Sequence, residues 1–113
     1  HWAFNYFFLS DERFKKEIEP IVNALDTISQ LNGVTYQMRV DEYPKMKFSN
    51  KKQIGLIAQN VESVLPTIVS TGPNDYKSVE YSQLIPIMIE SIKELKKEIE
   101  LLKAKNQELE GRE

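Results

Sequence analysis

Residues 83–110 read QLIPIMIESIKELKKEIELLKAKNQELE, and this stretch decides the architecture. Its apolar residues recur with alternating spacings of three and four. Ile85, Ile92 and Ile99 take heptad position a, with Asn106 after them; Met88, Leu95, Leu102 and Leu109 take position d. Such a repeat draws one apolar stripe along one side of a helix, which is the seam of a coiled coil. Pro86 fits only in the first turn, where its missing N–H leaves no carbonyl without a partner. One long helix is therefore expected over 83–113. Glu98 at position g faces Lys103 at the following e, and Lys105 faces Glu110 likewise, which suits parallel neighbours. Leu84, Ile87 and Ile89 widen the stripe near its start, so that half is expected to pack on the rest of the chain. Beyond Leu95 only the narrow seam remains, and copies of the same chain are its expected cover. Isoleucine at a with leucine at d favours two strands, and an Asn at a fixes register.

Upstream of the helix, residues 10–82 carry helix and strand signals in turn. Ser10-Asp11-Glu12 has the form of a helix start, a capping hydroxyl with acid in the first turn. Phe14, Ile18, Ile21, Val22, Leu25, Ile28 and Leu31 follow at helical spacing, interrupted at Pro20 and ended by Asn32-Gly33. Val34, Tyr36, Met38 and Val40 alternate with polar residues, as a strand does. Residues 41–53 are polar, with Pro44 and four lysines, and read as an exposed loop or loose hairpin. Ile54-Gly55-Leu56-Ile57 leads into a helix through Ala58, Val61, Val64 and Leu65, ended by Pro66. Short strands are expected over 67–70 and 77–81 around a Gly72-Pro73-Asn74-Asp75 turn. In residues 1–9, Trp2, Phe4, Tyr6 and Phe8 alternate with Ala3, Asn5, Phe7 and Leu9, again a strand pattern. The expected fold class is α+β: a small mixed body of short strands and helices, then a long C-terminal helix.

At 113 residues the chain has the length of one domain. A net charge of −2 sets up no field that draws it to nucleic acid or an anionic membrane. The absence of cysteine excludes disulfides, thiolate metal sites and cysteine nucleophiles. No apolar run approaches the ~18 residues of a membrane span. The first nine residues are aromatic without a basic flank, unlike a signal peptide.

The candidate chemistry is narrow. There is no Gly-rich phosphate loop and no metal-ligand spacing. His1 is the single histidine and stands at one end, so a Ser-His-Asp triad is not on offer. Ser10 and Lys15 remain. A hydroxyl is a weak nucleophile that needs a base, and lysine serves when burial strips its charge. Ser10 is also placed to attack the carbonyl of Leu9, the peptide bond just before it. On pattern alone Ser-x4-Lys is common, and an N-cap serine before a charged helix is the plainer reading. A regular helix sets positions 10 and 15 about 140° apart. Either the segment is irregular there, or Lys15 acts only in an assembled oligomer. Lys16 competes for the role of base.

The segments SDERFKKEIEPI, QLNGVTYQMRV, IGLIAQNVESVLP and KSVEYSQLIPIMIESIKEL follow one another in this order. Over about Ser10 to Leu102 the chain resembles the self-cleaving intramolecular chaperone domain at the C-terminus of phage tailspikes and tail fibres, such as endosialidases and neck appendages. The resemblance implies three parts: 1–9, the end of an upstream β-rich passenger; 10–82, the chaperone and autoprocessing body; 83–113, the coiled-coil helix. It implies a homotrimer, joined through the a and d residues from Ile85 to Leu109, where the heptads alone suggest two strands. It implies one autoproteolytic cut between Leu9 and Ser10, with Ser10 as nucleophile and Lys15 as base, and Asp11 completing the family's serine-aspartate start. Gln59 either supports the cut or an interface, or is a surface residue. Gly55 either admits a close approach or opens a helix. No cofactor, metal, nucleic acid or membrane is implied; the partner is the passenger in cis. The place of action is the host cytoplasm during phage assembly, and the cut domain is absent from the mature virion. A related self-cleaving segment occurs in membrane-anchored myelin regulatory factors, where the cut frees a transcription factor trimer. From another class stands a non-catalytic trimerisation module, in which Ser10 is only a cap.

Overall fold

A computed structural model of the chain describes residues 7–112. Its elements are α1 (Ala24–Ser29), β1 (Val34–Tyr36), β2 (Gln53–Gly55), α2 (Ala58–Val64), β3 (Val69–Thr71), β4 (Lys77–Val79) and α3 (Leu84–Glu110). The class is α+β. The strands form two separate antiparallel pairs. β1 meets β2 with Val34 opposite Gly55 and Tyr36 opposite Gln53. β3 meets β4 with Val69 opposite Val79 and Thr71 opposite Lys77. The second pair turns through Pro73–Asp75, where Asn74 and Asp75 hold φ of 68° and 63°. These two residue types tolerate the left-handed region because their short polar side chains bond locally.

α2 and its end at Pro66 lie where the sequence puts them. The chain then makes a 3-10 turn over Pro66–Ile68, so the third strand starts at Val69 rather than at residue 67. The strand expected to run to Val40 ends at Tyr36, because its partner begins at Gln53 and leaves the later residues unpaired. Of the strand expected over 1–9, residues 1–6 lie outside the described residues. Phe7, Phe8 and Leu9 are in no strand, and Phe7 is 90% exposed.

The largest departure lies between Ser10 and Leu31. The helical periodicity there yields a 3-10 turn over Glu12–Phe14 and the six-residue α1, with extended chain between. Pro20 cannot donate and drives Glu19 from helical geometry. Glu17 and Asn23 sit at φ of 55° and 56°. Phe14, Ile18 and Val22, which would form the apolar stripe of such a helix, are all exposed. A short helix gains its stability from packing that stripe, and here the described residues leave it open.

Ala24, Val61, Ile68, Leu84 and Ile87 form the buried core, with Ile28, Leu31, Leu56, Leu65, Val69 and Val79 packed around it. It gathers α1, α2 and the β3–β4 pair against the first turns of α3. α3 gives this core one stripe: Leu84, Ile87 and Ser91 are buried, and Ser91 turns its hydroxyl to its own helix, 2.8 Å from the Ile87 carbonyl. One turn on, Glu94 Oε2 accepts hydrogen bonds from the N–H groups of Ala24 and Leu25 at 2.8 and 3.4 Å. α1 has no side-chain cap of its own, so a carboxylate from α3 supplies it. As expected the early half of the helix packs on the body, but only through this stripe. Ile89 and the whole a/d seam stay outside it, with Ile92 at 65% and Leu102 at 65% exposure.

Candidate active site

Residues 10–15 make one tight turn. Asp11, not Ser10, caps it: its Oδ1 accepts from the Arg13 N–H at 2.9 Å. The N–H groups of Phe14 and Lys15 return to the carbonyls of Asp11 and Glu12 at 3.1 and 3.0 Å. Lys15 leaves the turn in extended geometry, φ −112° and ψ 146°. This path brings the Lys15 ammonium back over the start of the turn, where Nζ donates to Ser10 Oγ at 2.7 Å. The 140° separation of a regular helix does not arise, because the segment is irregular. Lys16 makes no hydrogen bond to Ser10 among the described residues.

Arg13, not singled out from sequence, organises the turn. Its Nε and Nη2 donate to the two carboxylate oxygens of Asp11 at 3.1 and 2.9 Å, a fork on a fork. The guanidinium, and after it the Arg13 backbone N–H, hold the Asp11 carboxyl below the usual carboxylate range. The carboxylate in turn raises Arg13. Asp11 is thereby engaged with Arg13 and not with Ser10 or Lys15. An Asp two residues before an Arg is common on surfaces, so spacing alone carries no signal.

Ser10 and Lys15 are exposed, and so are Phe14 and Ile18 beside them. Among the described residues nothing covers Lys15. Leu9 is exposed as well, which leaves the bond before Ser10 open to approach.

Gln59 lies on α2 and is exposed. It lines an open groove of about 710 Å³ with Gln37, Met38, Tyr43, Phe48 and Tyr76, among others, and neither Ser10 nor Lys15 belongs to that lining. Gly55 ends β2 rather than opening a helix. A β-carbon there would come within 2.8 Å of the Tyr81 hydroxyl, which in turn accepts the Leu56 N–H at 2.9 Å. The close approach is thus that of a tyrosine. Sequence reasoning missed Tyr81 and Glu94 alike, since an exposed-looking tyrosine and a charge at heptad position c give no local signal.

On α3 the a and d residues present one continuous open strip. Ile85, Met88, Ile92, Leu95, Ile99, Leu102 and Leu109 are all exposed, and Asn106 donates to Glu110 of its own chain at 3.3 Å. Among the described residues no group of His, Asp or Glu is arranged to hold a metal ion. No helix among them is long and apolar enough to cross a membrane.

Comparison with known proteins gives these features a setting. The family described as chaperone of endosialidase matches residues 10–70. The long tail fiber protein Gp37 of Salmonella phage S16 is 34% identical over 103 residues, 88% of this chain. The Gp37 protein of Enterobacteria phage K3 is 31% identical over 105 residues, 89% of this chain. The chain spans only 14% and 8% of the length of these two relatives.

Proposed function

The chain belongs to the chaperone-of-endosialidase family, and on that premise we propose that it assembles a phage fibre or tailspike in cis and then releases itself by one cut between Leu9 and Ser10. The observation that carries the cut is the 2.7 Å contact of Lys15 Nζ with Ser10 Oγ. It lies at Ser10, the residue where the family match starts. Residues 1–9 are then the end of the passenger, 10–82 the processing body and 83–113 the assembly helix. The passenger is the β-rich stalk of a tail fibre or tailspike, in keeping with the two fibre relatives.

In the proposed reaction Lys15, as the free amine, takes the proton of the Ser10 hydroxyl while Oγ bonds to the Leu9 carbonyl carbon. The carbonyl pair moves to oxygen and returns as the C–N bond breaks. The departing Ser10 amine recovers the proton from Lys15. The chain is now joined by an ester on Oγ. Water hydrolyses that ester, leaving a carboxylate on Leu9 and Ser10 as a new N-terminus. No cofactor enters any step.

Three copies complete the machine. The single chain leaves the apolar seam open, and Phe14, Ile18 and Val22 with it. Three parallel helices close the seam. A neighbouring body laid over residues 14–22 dehydrates Lys15 and favours its neutral form. The cut then waits for correct assembly. A trimer nucleus also shortens the search for non-local strand pairs in the stalk. Once the chaperone is gone, the stalk unfolds only over a kinetic barrier. The reaction belongs in the host cytoplasm, and the released domain does not enter the virion.

The exposure of Lys15 favours a second reading, in which Ser10 and Lys15 share only a surface hydrogen bond and the domain is a trimerisation module. One experiment separates the two. The chain, joined to its native upstream passenger, should yield a fragment that mass spectrometry starts at Ser10. Ser10→Ala and Lys15→Met should stay full length as trimers. The rate on purified uncut trimer should rise with pH, because alkali removes the proton that blocks the base. Normal cutting of the Ser10→Ala protein would overturn the serine chemistry, and a flat pH profile would remove lysine as the base.

A further inference from the structure

The segment that carries Ser10 and Lys15 is held to the rest of the fold at one polar point. Among the described residues, no hydrogen bond or ion pair joins residues 10–22 to anything beyond Asn23. Glu19, Pro20 and Ile21 lie beside Pro86, Ile89 and Lys93 of α3 without a hydrogen bond, and the polar tie comes at α1, whose first two N–H groups both rest on Glu94 Oε2. Asn23, in the N-cap position, is left-handed and contributes no side-chain bond. Ala24 is fully buried, so its N–H has no water to replace a lost acceptor. Glu94 stands between Ile92 and Leu95 of the seam, yet it points from the side of the helix that packs on the body.

From this juxtaposition we infer that Glu94 is a positioning residue for the cut. It ties the root of the Ser10–Lys15 segment to α3, so that helices brought together at the seam set where that segment lies against a neighbouring chain. The inference rests on the proposed autoproteolysis and adds to it a residue that touches neither Ser10 nor the scissile bond. Glu94 acts on geometry only. Its loss should therefore lower the cutting rate by the same factor at every pH and leave the shape of the profile unchanged.

The test uses the chain with its native passenger, as unmutated protein, Glu94→Ala and Glu94→Gln. Sedimentation should find trimers in all three. The first-order cutting rate of Glu94→Ala should fall on the order of tenfold, the scale of one lost helix cap. Glu94→Gln keeps an acceptor oxygen but not the charge, and should fall between. In a Ser10→Ala background the chain stays whole. There, amide hydrogen exchange at Ala24 and Leu25 should speed up in Glu94→Ala, while the amides of α3 keep their protection. Faster exchange with an unchanged cutting rate would overturn the positioning role and leave a structural cap. Unchanged exchange would overturn the tie itself. Loss of the trimer in both variants would reassign Glu94 to assembly. If the unmutated protein is never cut, the autoproteolysis reading fails and the positioning role fails with it; exchange then reports only whether the tie exists.

Discussion

Truncating Leu102 to alanine tests the proposed trimer in the part of α3 that the body never reaches. Leu102 is 65% exposed in the single chain and takes position d of the third heptad. Full burial of a leucine side chain is worth up to about 3 kcal/mol, so closing the seam over this residue contributes about 2 kcal/mol per chain. Three chains make that roughly 6 kcal/mol per trimer, or about four decades in the association constant at 1.4 kcal/mol per decade. The concentration at which half the chains are associated varies as the square root of the constant in a monomer–trimer equilibrium. The midpoint of Leu102→Ala should therefore rise about a hundredfold. Sedimentation equilibrium across a dilution series reads this directly. Glu100→Ala, at the outward position b, serves as control and should move the midpoint little, since exposed ion pairs contribute at most ~1 kcal/mol. A monomer for the unmutated chain across the series, or equal midpoints for Leu102→Ala and the control, would refute the seam as the assembly surface.

Two further outcomes test the body. Asp11 is held below the usual carboxylate range by Arg13, so the turn's contribution is present above the ordinary carboxylate value and fades as pH falls through the lowered one. In Arg13→Ala the NMR titration of the Asp11 carboxyl should move upward toward that ordinary value, and an unmoved midpoint would deny the pairing. Gly55→Ala places a methyl 2.8 Å from the Tyr81 hydroxyl and should cost about 1–3 kcal/mol through displacement of that tyrosine and loss of its bond to Leu56. An unchanged melting temperature would show that the tyrosine yields freely.

Where sequence and structure agree, the signal is local. α2 stops at Pro66 because proline supplies no N–H and restricts the residue before it. The β3–β4 turn forms at Gly72-Pro73-Asn74-Asp75 because those residues accept the backbone angles it needs. Ser10 and Lys15 remained as candidates by residue type, and the family resemblance, not their spacing, made them a pair. Their contact depends on a 3-10 turn that the sequence disguised as a helix start, since an acidic residue after a serine suits both. The apolar spacing from Phe14 to Val22 misled for a related reason. Periodicity records which residues want cover, and the described residues leave Phe14, Ile18 and Val22 without it.

The sequence by itself determined α3 and the apolar strip along it, because a helix of this length is written in a repeat between near neighbours, although it ends at Glu110 and not at residue 113. It also determined the residue types from which a cut can be built. Tertiary structure alone decided which stripe of α3 faces the body, that Glu94 caps a helix 70 residues away, and that Tyr81 fills the space over Gly55. Those outcomes depend on which surfaces meet after the chain folds back on itself. That is a matter of packing between distant residues, to which no spacing within a short window responds.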